Sequence, residues 1–234
     1  MKQKDSLVLL CVMGIFIFGV FGIRNIQAEE NDFPLAPGTY WVYEGLVKWQ
    51  VESGVKERQM TWKMEVIKKV ERGEFTGYLM KGHPIDLVFY EDGRISSDYA
   101  IIRNGEKFYE TDVETFQRLK DLQDKLENLV SDAELTLDLP LMPGKKFGEA
   151  EMLDREDDSY CWMVKEARPF SRQINGVALS DTLTEYLLTF ATLPEDVVVH
   201  FTPGIGITRF EYVHHGTISE VDVSLIEYHA SSSQ

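Results

Sequence analysis

With 234 residues, 44% of them apolar, the chain can bury a core of its own, and 39 acidic against 24 basic side chains leave a net charge of -15. A surface this acidic repels phosphate backbones, and no basic stripe reverses the field locally. Nucleic acid is therefore excluded as a partner, and an anionic membrane surface is disfavoured.

Residues 1–28 read "MKQKDSLVLLCVMGIFIFGVFGIRNIQA". Lys2 and Lys4 precede an almost unbroken apolar run from Leu7 to Ile23, and a short polar tail closes on Ala28. That layout is a secretory signal peptide cut after Ala28, which places residues 29–234 in the periplasm or outside the cell. The alternative is a retained N-terminal membrane anchor, because the run reaches about 17 apolar residues, the short limit for a spanning helix. Cys11 follows two leucines inside the run, unlike a lipid-attachment cysteine, so Cys161 is the one thiol expected downstream and no intrachain disulfide can form.

The segment 39–51, "TYWVYEGLVKWQV", alternates, with Trp41, Tyr43, Val47, Trp49 and Val51 on one face and Glu44, Lys48 and Gln50 on the other. Period-two alternation marks a half-buried strand. "ESGVK" reads as a hairpin turn, and 58–70 alternates again through Met60, Trp62, Met64 and Val66. Shorter strands are predicted at 75–81, 87–90, 95–103 and 107–109, separated by "RGE", "EDGR" and "NGE" turns.

Residues 111–130 change the period. Val113, Phe116, Leu119, Leu122, Leu126 and Leu129 fall three or four apart, one apolar stripe of an amphipathic helix, with Thr111 and Glu114 in capping-box positions. The stripe suits a helix lying on a sheet; a free helix that binds a partner is the alternative. Strands return at 159–167, 183–191, 197–201, 208–213 and 218–228, with "INGV" and "HHGT" as turns and "TPGIGIT" ahead of the fourth. The predicted fold is mainly β (α+β): a large curved antiparallel sheet or half-barrel with one amphipathic helix packed on it, a single domain over 29–234.

Two stretches echo each other, "FPLAPGTYW" at 33–41 and "LPLMPGKKF" at 139–147. Pro34, Pro37, Pro140 and Pro143 keep the chain extended and unpaired, Gly38 and Gly144 permit a sharp turn, and Trp41 and Phe147 then enter the core. Each stretch is expected to lead the chain onto one shared sheet, once per half; an internal duplication is the alternative. "FPLAPGTYWVYEG", the second element and the late Gly204-Ile205-Gly206 resemble a broad group of exported bacterial proteins of unknown function that open F-P-L-x-x-G-x-x-W-x-Y. Phe147 departs from the commoner Trp of that group. The resemblance implies a curved sheet of the periplasmic lipoprotein-carrier type, whose half-barrel cradles helices or an acyl ligand, and it brings no catalytic residues.

The search for chemistry returns little. His83, His200 and His229 are isolated in sequence, and His214 and His215 point to opposite faces of a strand, so no metal is predicted. "DREDDSY" (154–160) lacks the Gly and the final Glu of a calcium hand and reads as a solvated acidic loop. Ser53-Gly-Val-Lys56 matches S-x-x-K without its companions or a helix start. No cofactor is implied.

One constellation points to binding. Trp41, Tyr43, Trp49, Met60, Trp62 and Met64 share one face of the first hairpin, and aromatics with pliable Met suit an apolar ligand as well as they suit a core. The preferred function is a non-enzymatic exported binding or carrier module, holding an apolar small molecule, a lipid or a segment of another envelope protein. A hydrolase with a site assembled from distant strands is the first alternative, and a structural envelope-associated protein the second. Membrane contact is expected only through an uncleaved N-terminal segment.

Overall fold

The computed structural model describes residues 33–89, 96–175, 177–178 (backbone) and 183–231. The signal-peptide reading of 1–28 lies outside them, as do the "EDGR" turn and Gly176 of "INGV". The first half is a meander of β1 (Tyr40–Val51), β2 (Gly54–Arg72), β3 (Phe75–Lys81), β4 (Asp98–Asn104), β5 (Lys107–Thr111) and β6 (Leu135–Asp138). The second runs through β7 (Lys146–Phe147), β8 (Trp162–Pro169), β11 (Thr184–Ala191), β12 (Glu195–Thr202), β13 (Gly206–His214) and β14 (Ser219–His229). A separate small hairpin, β9 (Gln173–Ile174) and β10 (Val177–Ala178), sits between β8 and β11.

Together the two meanders form one 12-stranded antiparallel sheet in the order β6-β5-β4-β3-β2-β1-β14-β13-β12-β11-β8-β7. The halves join where β1 pairs with β14, and the far edges β6 and β7 come into contact, so the sheet curls into a nearly closed barrel. At that seam Lys145 reaches from the foot of β7 to the end of β6, its Nζ donating to the Asp138 carbonyl at 2.6 Å and lying 3.1 Å from the Asp138 carboxylate. The predicted curved sheet is thus the observed one.

The first hairpin turns through Glu52 and Ser53, with Val51 opposite Gly54. Trp41 faces Met64, Tyr43 faces Trp62 and Gly45 faces Met60, so period-two alternation puts the predicted aromatics and methionines on one face. The two echoing stretches have one geometry. Thr39 N donates to Ala36 O and Lys145 N to Met142 O, each at 3.0 Å, closing turns centred on Pro37-Gly38 and Pro143-Gly144. The glycines take φ of 88° and 87°, as a Pro-Gly turn of type II demands. Each then docks on a valine of the following long strand: Gly38 N on Val66 O (2.9 Å) and Gly144 N on Val164 O (2.7 Å), with the valine N–H returning to Thr39 O and Lys145 O at 2.9 Å. These are the two points at which the chain enters the sheet.

Three expectations need correction. The helix is α1, Val113–Lys120, eight residues rather than twenty, and its N-cap is Asp112, whose Oδ1 accepts from Thr115 N at 2.8 Å, not Thr111. Beyond Lys120 the polar side chains take the backbone groups that helix would need. Asp121 Oδ1 accepts from Gln123 N (2.9 Å) and Asp124 Oδ1 from Leu126 N (2.7 Å), while the Arg72 guanidinium donates to the carbonyls of Asp121 (2.5 Å) and Asp124. Leu122 is consequently exposed, although Leu129 still reaches the core.

The strand expected at 87–90 is instead part of a 3-10 turn, Pro84–Phe89. Pro84 fixes the entry, His83 O accepts from Asp86 N, and the buried Asp86 carboxylate accepts from the Ser97 N–H (2.8 Å) and hydroxyl. Finally, the short β6 closes the first meander in a stretch where no strand was expected.

Candidate functional site

A cavity of about 320 Å³ lies on the concave side of the sheet, at the lower end of the range of ligand pockets, about 300–1,000 Å³. Ile101 and Leu137 come from the first half, Leu188, Val197, Val199, Phe201, Ile207 and Phe210 from the second, and Phe33 from the first entry stretch. Alternation explains the set: Leu188 pairs with Val199 and Val199 with Phe210 across β11, β12 and β13, so their side chains fall on one inner face. Ala133 and Glu134, just before β6, are among its less buried lining residues, beside the seam between the sheet's two edges.

Phe33 packs the first entry stretch against the turn before β13. Its ring meets Trp41 edge-on at 5.9 Å and Phe201 at 5.4 Å. A Cβ on Gly206 would lie 2.7 Å from the Phe33 ring and 3.2 Å from Trp41 Nε1, and that indole donates to Ile205 O at 2.5 Å. Phe33, Trp41 and Gly206 thus form a single packed corner beside the cavity, which Phe33 lines.

The polar lining is gathered at one side. His83 Nδ1 accepts from Ile85 N at 3.0 Å, which leaves Nε2 to carry the proton, 3.6 Å from Glu110 Oε2. The ring stands edge-on to Tyr99 at 5.4 Å and to Phe210 at 5.8 Å. Tyr99 is 8% exposed, and its buried hydroxyl has no hydrogen-bond partner among the described residues. Burial pushes the Tyr99 phenol well above its ordinary pKa, and the nearby Glu110 charge adds to the shift, so it stays protonated and able to donate. Glu134 and Thr136 complete the polar lining, and among the described residues no Lys or Arg lines the cavity.

Trp41, Tyr43, Met64 and Trp62 are buried in the core, and Trp49 and Met60 pack partly buried against it; none of the six lines the cavity. Their polar atoms are met by backbone: Tyr43 Oη donates to Ile207 O at 3.0 Å and Trp62 Nε1 to Gly82 O at 2.9 Å. Sequence reasoning missed His83, Tyr99 and Glu110. The one local hint was that Tyr99, Ile101 and Glu110 alternate inward on neighbouring strands.

Acid–base residues from distant strands do converge elsewhere, on the opposite face of β11, β12 and β13. Glu185 accepts from Thr208 Oγ1 (2.7 Å) and from Arg168 Nε and Nη2 (3.0 and 2.9 Å), with Arg172 Nη2 at 3.3 Å. His200 lies between Glu185 (3.2 Å) and Glu211 (3.0 Å). Burial raises the Glu185 pKa, but hydrogen bonds from His200, Thr208 and Arg168 and the Arg172 charge outweigh it and hold the carboxyl down to about 2. A carboxylate so stabilised, with both oxygens engaged, is a poor general base; this cluster is built as a closed ion network. Among the described residues no group of three or more His, Cys, Asp or Glu could hold a metal ion.

No family model matches the chain, and no curated protein matches it in sequence. Among solved structures it is similar to a candidate lipoprotein from Parabacteroides distasonis, at 11% identity and a TM-score of 0.37, covering 84% of this chain and 97% of that one. It is also similar to a candidate exported protein with a YmcC-like fold from Bacteroides fragilis, at 10% identity and a TM-score of 0.41, covering 86% and 99%. Likeness at this level leaves the function to be argued from the cavity.

Proposed function

We propose that this protein is an exported, non-enzymatic binding module that holds an apolar small molecule inside its curled sheet. The observation that carries the reading is the cavity of about 320 Å³, walled by apolar side chains from both halves of the sheet. Burying a molecule there is driven by removal of apolar surface from water, about 25 cal/mol per Å². Export rests on the N-terminal segment: a basic start, the apolar run 7–23 and the small residue Ala28.

The test is a titration of delipidated protein with diphenylhexatriene, an uncharged hydrocarbon fluorophore. Saturable binding to one site is expected, and Val199→Trp, which fills the cavity from β12, should abolish it while leaving the β-sheet circular dichroism intact. Absence of saturable binding by the unaltered protein would overturn the reading. Mass spectrometry of the protein from its own host should find the mature chain beginning at Glu29.

A further inference from the structure

The cavity's polar lining restricts which molecule it can take. We propose, on the strength of the apolar-cavity reading above, that its ligand is an amphiphile whose head is an uncharged or cationic hydrogen-bond donor (an alcohol, amide or amine), and that carboxylate and phosphate heads are rejected. Glu110 and Glu134 line the cavity, and among the described residues no Lys or Arg does so to neutralise an anion. The His83 ring nitrogens are directed within the protein, Nδ1 accepting from Ile85 N and Nε2 lying 3.6 Å from Glu110 Oε2.

The second, independent observation is Tyr99. A buried hydroxyl left without a partner costs free energy, and structures rarely keep one without a reason. Tyr99 lines the cavity, and once its ring turns the hydroxyl toward a ligand, a hydroxyl or amide head accepts from the phenol while donating to Glu110. An anionic head would instead enter a confined, low-dielectric space beside a like charge. Glu134 is already occupied as an acceptor, from Ser131 N (2.8 Å) and Oγ (3.1 Å), which leaves Glu110 as the acceptor for the head.

The experiment displaces bound diphenylhexatriene with decanol, decylamine or decanoate at neutral pH. Decanol and decylamine are expected to compete at concentrations at least about tenfold below decanoate, the worth of one charge-assisted hydrogen bond against a repulsion. Decanol is essential, because the chain's overall negative charge would favour any cation. Glu110→Gln isolates the cavity's own carboxyl and should bring decanoate to within about threefold of decanol. Tyr99→Phe should weaken decanol several-fold more than it weakens the hydrocarbon fluorophore. If the fluorophore binds and the three compounds compete equally, or Glu110→Gln leaves their order unchanged, the head-group inference falls and the cavity reading stands. If the fluorophore does not bind at all, both fall.

Discussion

The outer face of the sheet is covered twice, in different ways. Over the first half, α1 lays Phe116 and Leu119 on β3 and β4. A Cβ on Gly77 would sit 2.6 Å from Leu119, so that glycine is what lets the helix come so close. Over the second half no helix of this kind stands among the described residues. Residues 170–175 run from β8 to β14, where Asn175 N donates to Ile226 O at 3.0 Å and its amide exchanges hydrogen bonds with the Tyr228 backbone. From that strap Arg172 donates to Thr208 O at 2.8 Å and joins Glu185, His200 and Arg168. The lesson is that one curled sheet can be sealed by an apolar helix face on one side and, on the other, by a strap that buries Phe170 and Ile174 and is tied down by a saturated ion network. The second seal depends on every partner being present.

The hardest way to break that comparison is Glu185→Ala. It strands two guanidiniums on β8 and the strap, and unfolding free energy in urea should fall by about 3–5 kcal/mol. Glu185→Gln sharpens the point through pH. The folded pKa of about 2 lies below the usual 4.5, so the charge stabilises fully above about pH 4.5, and that gain is lost as pH falls through about 2. The difference in stability between the unaltered protein and Glu185→Gln should shrink to nothing across that window; a constant difference would mean that the network is held by shape alone.

Next in size, Leu119→Ala opens a void under α1 and should cost about 2–4 kcal/mol, with no comparable acid dependence. The smallest effect is Asp112→Ala, which removes the cap of α1 and should cost about 1 kcal/mol by the same denaturation. Both covers lie on the face away from the cavity, so all three alanine variants, where folded, should bind the hydrocarbon fluorophore as the unaltered protein does. Loss of binding in Leu119→Ala would mean that the helix shapes the cavity from behind.

Much of this architecture is legible in the sequence, and what is not legible is equally specific. The first hairpin was legible because strand alternation is enforced by the backbone, so Trp41, Tyr43, Met60 and Met64 had to share a face. The helix was overread because Leu122, Leu126 and Leu129 continue its spacing; periodicity cannot register that Arg72, Asp121 and Asp124 capture the backbone groups. The cavity was illegible. His83 and Glu110 are separated by 27 positions in the numbering, and nothing local says that they meet.

What the sequence by itself determined was the strand pattern and the two Pro-Gly entry points, because φ restriction and side-chain alternation act within a few residues of chain. Which inward face became solid core and which kept a void was decided only when β1 met β14 and the sheet curled. Filling depends on what stands opposite, and across the barrel Trp41 and Tyr43 found the 205–207 backbone while Ile101 and Val199 were left facing open space.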